Sequence, residues 1–225
     1  MDTAECYRAV RARMTELAAT LSEERADTAV PALPAWTVLD TYAHLAGLCA
    51  EVVDGVVTGP ATDEDTARQV DDRKGRGLAE VCAEWAGRAA EIDPLIGGPK
   101  GYRYHLLVQD AWNHEQDVLG ALGLPQARED ETTSVVAAAM MDLYVRSWRK
   151  FGLGPAVRVE TSGGRWTIGV GEPVARLETN DFDLVRMLIG RRTLSEMAAM
   201  GWTGDPGPLL DRLHFFAPPV GSLGE

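Results

Sequence analysis

The spacing of the apolar residues changes near Gly152, and this change predicts two kinds of structure in one chain. Before Gly152, apolar residues recur every three or four positions, as they do on one face of a helix. After it, short segments such as VRVET and VARLET alternate apolar and polar residues, as strands do. We therefore predict an α+β protein, with a helical bundle over residues 1–151 and a small α+β domain with an antiparallel sheet over residues 152–225.

The bundle is predicted to have a four-helix core and one extra helix. The five predicted helices lie near residues 3–24, 37–56, 78–92, 107–122 and 131–151. The second helix is expected to begin with Thr37 as its N-cap. Residues 59–77 are polar and charged with little periodicity, which predicts a long mobile loop that could act as a lid. In the second domain, short helices are predicted near residues 181–190, 194–200 and 208–216.

Composition excludes several classes of protein. No segment approaches the roughly 18 apolar residues of a membrane-spanning helix, and the N-terminal residues mix charges with apolar positions, so we expect neither a membrane span nor export. A formal net charge of −12 disfavours a nucleic-acid surface. The three cysteines form no CxxC pair, which disfavours a disulfide framework or a thiolate zinc site. We expect a cytoplasmic monomer or homodimer that acts on small molecules.

A histidine and an aspartate share the apolar face of the predicted helix at residues 107–122. His114 lies at the centre of that face and Asp110 lies one turn earlier. Burying an imidazole and a carboxylate together is costly unless a partner compensates them, and a metal ion suits this pair. Side chains at positions i and i+4 of a helix stack one above the other and can chelate one ion.

A catalytic zinc site needs a third protein ligand and one open position. The chain has four histidines, and His44, midway along the second predicted helix, is the natural candidate. Asp117 could accept a hydrogen bond from the His114 imidazole and hold its tautomer, or it could be a solvated acid. The alternative is that His44 packs with one nitrogen bonded to a backbone carbonyl, while Asp110 and His114 form a buried pair. The sequence leaves both open.

Three arginines are candidates for binding a substrate carboxylate. Arg191 and Arg192 are adjacent at the end of a predicted helix, and Arg212 follows in the last predicted helix. Alternatively, they neutralise a helix C-terminus or pair with acids. The chain has no GxSxG, Walker or GxGxxG motif, which disfavours catalysis by a serine or cysteine nucleophile and nucleotide binding.

Three motifs, in this order and spacing, resemble one known family. They are PALPAWTVLDTYAHLAGL, DAWNHEQDVLGALGLP, and VRMLIGRRT followed by WTGD. Together they resemble the mycothiol-dependent maleylpyruvate isomerase-like proteins, which belong to the DinB-like four-helix superfamily. The resemblance spans nearly the whole chain.

The resemblance implies a divalent metal, typically zinc, bound by His44, Asp110 and His114, with Asp110 standing where the family more often has glutamate. It also implies that the metal activates a low-molecular-weight thiol, mycothiol in actinobacteria, because a metal-bound thiol loses its proton near neutral pH. The expected activity is isomerisation of, or S-transfer to, a small electrophile. The alternatives are a non-catalytic protein that binds a small ligand and a metal-dependent hydrolase that uses bound water.

Overall fold

A computed structural model describes residues 1–152 and 154–225 of the chain. By their contacts, the described residues divide into two units, Met1–Gln126 and Ala127–Glu225. No helix among these residues is long and apolar enough to cross a membrane. The two units are described in turn.

The first unit consists of helices. In chain order they are α1 (Thr3–Ala18), α2 (Glu23–Ala26), α3 (Val38–Val53), α4 (Asp63–Asp71), α5 (Leu78–Ile96) and α6 (His105–Ala121), with a 3-10 turn at Gly101–Tyr104. The four long helices form a closed ring, in which α1 and α3 each contact both α5 and α6. This ring confirms the predicted four-helix core.

Hydrogen bonds at the helix starts explain where α1, α3 and α4 begin. Each starts with a capping box, in which the cap side chain accepts from a backbone N–H three residues later and the later side chain accepts in return. For α3 the pair is Thr37 and Asp40, which confirms Thr37 as the predicted N-cap. The cap fixes the start of α3, and so fixes the face on which His44, seven residues later, lies.

The prediction of a long mobile loop over residues 59–77 is wrong in part, because α4 lies within it. Thr62 and Asp65 cap this helix, and its buried residues are Gln69 and Val70. A nine-residue helix that buries a single aliphatic side chain gives no apolar periodicity, so the sequence pattern could not reveal it.

The first predicted helix is also shorter than expected. It ends at Ala18 rather than near residue 24, and α2 begins separately after Ser22. The Ser22 side chain accepts a hydrogen bond from the backbone N–H of Arg25, which starts the second helix.

Buried polar contacts connect three of the four long helices, α1, α3 and α5. Trp85 of α5 donates its indole N–H to the hydroxyl of Tyr7 of α1 at 2.9 Å, and both side chains are buried. The hydroxyl of Tyr42 of α3 donates to the backbone oxygen of Met14 of α1 at 2.7 Å. Each polar atom therefore has a partner inside an otherwise apolar core, which avoids the cost of burying it unpaired. The three cysteines are buried as well.

The second unit begins with a long helix and continues with a sheet and short helices. Its elements are α7 (Glu131–Phe151), β1 (Val157–Glu160), β2 (Arg165–Ile168), β3 (Ala175–Glu178), α8 (Asp181–Leu188), α9 (Leu194–Ala198), β4 (Gly201–Gly204) and α10 (Gly207–Leu210). α7 has the bounds predicted from the sequence, but it contacts α8 and β2 within this unit. The predicted boundary between residues 151 and 152 therefore lies inside the second unit, at the end of α7.

The sheet has the strand order β2-β1-β3-β4 and is mixed. β1–β2 and β3–β4 are antiparallel, whereas β1–β3 is parallel, so the prediction of an antiparallel sheet is wrong for that pair. The chain after β2 crosses closely over the start of β1, where a Cβ at Gly169 would lie 2.9 Å from the Cα of Ala156. Gly169 has φ +90° there, a conformation that favours glycine. Val174 then donates to the backbone oxygen of Ala156, which brings β3 alongside β1.

Two short elements near the end of the chain also differ from the predictions. β4 was not predicted, because two of its four residues are glycine, which is depleted in strands. The helix predicted near residues 208–216 is the single turn α10, which ends at Leu210.

Candidate metal centre

Two facing helices of the first unit bring the three predicted ligands together. His44 lies on α3, and Asp110 and His114 lie one turn apart on α6. One ligand atom from each residue lies within 4.8 Å of the other two. The Nε2 atom of His44 is 3.0 Å from Oδ2 of Asp110, and Nε2 of His114 is 3.4 Å from Oδ1. Each oxygen of one carboxylate therefore faces one imidazole.

The site is open mainly at its carboxylate. The side chains of His44 and His114 are only 3% and 8% exposed, whereas the Asp110 side chain is 32% exposed. The ring of Trp36 lies 5.0 Å from the His44 ring and 6.0 Å from the His114 ring, measured between centroids. The imidazoles are thus shielded from water, and a small molecule can approach along the exposed part of Asp110.

Oxygen atoms hold the other nitrogen of each imidazole. Nδ1 of His114 is 3.2 Å from Oδ2 of Asp117, whose side chain is fully buried. Nδ1 of His44 is 2.8 Å from Oε1 of Gln69, on α4. With both Nδ1 atoms facing acceptors, both Nε2 atoms face Asp110. A metal-binding histidine in proteins usually has this second contact, which orients its ring and tautomer.

Charge interactions shift the pKa values within this cluster. Burial alone would raise the pKa of Asp110, but the imidazoles of His114 and His44 outweigh burial and hold that pKa well below its usual range. Burial alone would lower the pKa of His114, but the carboxylates of Asp110 and Asp117 raise it to about 9. The cluster therefore attracts positive charge at neutral pH.

The donor set fits a divalent metal ion. Two imidazole nitrogens and one carboxylate oxygen are ligands that zinc accepts, and three protein ligands with an open fourth position are typical of catalytic zinc sites. The residues that complete the cluster, Gln69 and Trp36, were not predicted as site residues. Gln69 lies in a segment without apolar periodicity, and Trp36 immediately precedes the cap of α3.

The three predicted substrate-binding arginines lie in the second unit. Arg191 and Arg192 are buried, and Arg192 donates to Oδ1 of Asp183 at 2.8 Å and to Oε2 of Glu225 at 2.7 Å. Arg212 is exposed and lies beside Gly154. The structure therefore shows for Arg192 the pairing with acids that was the alternative interpretation. A role of these arginines in substrate binding stays a prediction.

Comparison with known proteins finds a matching family model and similar crystal structures. Residues 7–94 match the family model described as the mycothiol maleylpyruvate isomerase N-terminal domain. The fold is similar to a crystal structure of the mycothiol-dependent maleylpyruvate isomerase, with 14% identity and a TM-score of 0.58. It is also similar to a histidine-to-alanine mutant of the mycothiol-dependent isomerase, with 12% identity and a TM-score of 0.56. Each match covers 84% of this chain and 88% of the other chain.

No curated protein sequence matches the chain. At such low identities the two crystal structures show a shared fold, and the family model adds a match in sequence. The resemblance predicted from the motifs is thereby confirmed: residues 7–94 are similar in sequence to the mycothiol maleylpyruvate isomerase N-terminal domain, and the two crystal structures share the fold.

Proposed function

We propose that this protein is a metal-dependent enzyme that uses mycothiol either to isomerise a small electrophile or to form a conjugate with it, in which the thiol sulfur is bonded to the electrophile. The observation that carries the proposal is the convergence of His44, Asp110 and His114 from two helices. The family match over residues 7–94 supports mycothiol as the thiol. The similar fold of a mycothiol-dependent isomerase supports the reaction class.

The side chains of the site would act by binding and orientation. A divalent ion held by His44, Asp110 and His114 would lower the pKa of a bound thiol, which supplies the nucleophilic thiolate. Gln69 and Asp117 hold the two imidazole rings with Nε2 toward Asp110. The exposed part of Asp110 marks the side from which thiol and substrate approach.

The reaction class follows from thiolate chemistry with conjugated double bonds. The sulfur forms a bond to one alkene carbon, and the electron pair of the double bond moves onto the conjugated carbonyl group. The remaining single bond rotates, and loss of the same thiolate restores the double bond in the other geometry. In S-transfer the adduct instead takes up a proton and is released as the conjugate.

The first experiment measures metal content in protein purified without added metal or an affinity tag, followed by turnover with and without mycothiol. We expect about one divalent ion per chain, lost in His44→Ala. The matched control is His105→Ala, which changes a histidine on α6 about 13 Å along the helix from His114 and should keep the metal. Absence of metal after reconstitution with zinc would refute the site, and turnover that needs no thiol would refute the thiol-dependent reaction.

A further inference from the structure

A line of hydrogen bonds runs from Glu51 on α3 through Gln69 on α4 to His44. Nη2 of Arg68 lies 2.9 Å from Oε1 of Glu51, and a carboxylate only accepts hydrogen bonds. Nε2 of Gln69 donates to Oε2 of Glu51 at 2.5 Å. Because an amide has one donor end and one acceptor end, its oxygen must face the other way. That oxygen lies 2.8 Å from Nδ1 of His44.

This polarity determines what the other side of His44 can bind. Nδ1 must donate its proton to Gln69, so Nε2 carries the lone pair in the neutral ring. That lone pair lies 3.0 Å from Oδ2 of Asp110, which is a second acceptor. Two acceptors at this distance repel each other unless a proton or a metal ion lies between them. The amide orientation set by Glu51 thus makes the face between His44 and Asp110 a place for a cation.

We propose that Gln69 is the positioning residue of the metal centre, an inference that rests on the proposed metal-dependent function. It holds His44 in the tautomer whose Nε2 can bind a metal ion. Gln69 differs from Asp117, which faces Nδ1 of His114, because Gln69 is neutral and its hydrogen bond to Glu51 sets its orientation. Gln69 is fully buried, so water does not compete for the hydrogen bond to His44.

Helix α4 packs closely against α3 where Gln69 lies beside Gly47. A Cβ at Gly47 of α3 would lie 2.8 Å from Cβ and 2.9 Å from Cγ of Gln69, so only glycine accepts this approach without a shift. Glycine inside a helix is less stable than alanine, so this close approach has a cost in helix stability. Arg73 anchors the C-terminal end of α4, because it donates to the backbone oxygen of Gln69 at 2.9 Å and pairs with Glu84 of α5.

The test titrates zinc ion alone into the full-length chain in competition with a chromogenic chelator. Gln69→Met keeps an unbranched side chain of similar length but removes the amide acceptor, and we expect the zinc affinity to fall roughly 10- to 100-fold. The exchange variant Glu51→Gln with Gln69→Glu reverses the two groups. The amide at position 51 can then donate to the carboxylate at position 69, whose other oxygen accepts from His44. We expect this variant to bind zinc more tightly than Gln69→Met.

The matched control is Gln116→Met, which removes another buried glutamine whose amide donates to a glutamate, Glu115. Circular dichroism and thermal unfolding confirm that each variant folds. Wild-type affinity in Gln69→Met, or an equal loss in Gln116→Met, would overturn the inference and leave the proposed metal site intact. An exchange variant no tighter than Gln69→Met would also overturn it. A wild-type protein without zinc affinity would instead refute the proposed function, and this inference with it.

Discussion

Replacing Gly47 with alanine should weaken metal binding although residue 47 is not one of the three proposed ligands. The added Cβ would lie 2.8 Å from Cβ of Gln69, whereas carbon atoms normally approach to about 3.5–4.0 Å. Gln69 must therefore retreat by about 1 Å, which lengthens its 2.8 Å hydrogen bond to His44 beyond the usual range. We expect the zinc affinity to fall roughly 10- to 100-fold. Overpacking costs about 1–3 kcal/mol and helix propensity returns about 1 kcal/mol, so the free energy of unfolding should fall by about 0–2 kcal/mol.

The assay combines urea unfolding of the metal-free protein with the zinc competition titration, and Gly87→Ala is the matched control. Gly87 also lies inside a long helix, α5, but a Cβ there would meet no atom within 4 Å. Gly87→Ala should therefore stabilise the protein by up to about 1 kcal/mol and leave zinc affinity unchanged. If Gly47→Ala gains as much stability as Gly87→Ala and binds zinc as tightly as the wild type, the close packing of α4 does not position Gln69.

Three further predictions concern pH and the core. Because the pKa of His114 in the metal-free protein is raised to about 9, its protonation adds stability that is complete below the unfolded-state value near 6.5 and is lost as the pH rises through about 9. Zinc must displace the proton on His114, so the zinc affinity should increase about tenfold per pH unit between about pH 6.5 and about pH 9. Calorimetry that detects no proton release on zinc binding at pH 7 would contradict this prediction. Tyr7→Phe removes the acceptor of the buried Trp85 indole N–H and should cost about 1–3 kcal/mol in urea unfolding, and a change below about 0.5 kcal/mol would contradict the assigned hydrogen bond.

The parts of the site that could be predicted depend on local spacing. Asp110 and His114 are four residues apart, so any helix through them places both side chains on one face. His44 was predicted because its helix has a strong apolar pattern and a cap at Thr37, both of which are local signals. Long periodic segments were likewise predicted well, as the bounds of α7 show.

The parts that could not be predicted depend on contacts between distant segments. Gln69 contacts His44 from a helix with almost no apolar pattern, and its partner Glu51 belongs to a different helix. The parallel pairing of β1 with β3 depends on how the chain crosses at Gly169. In a sheet with one buried face, apolar and polar residues alternate along a strand whether its neighbour is parallel or antiparallel. The pattern of a strand shows which face is buried and does not show which strand lies beside it.

The proposed ligand residues and their hydrogen-bond partners lie far apart in the chain, from His44 through Gln69 to His114 on three helices. An unfolded chain cannot hold them together, so a metal ion that binds here binds the native state almost exclusively. Its binding free energy then adds to the stability of the first unit, by about 2.7 kcal/mol when the free ion is at one hundred times its Kd. The free energy of unfolding of this unit would thus increase with the concentration of free metal ion. The same ion would both activate the thiol and stabilise the fold.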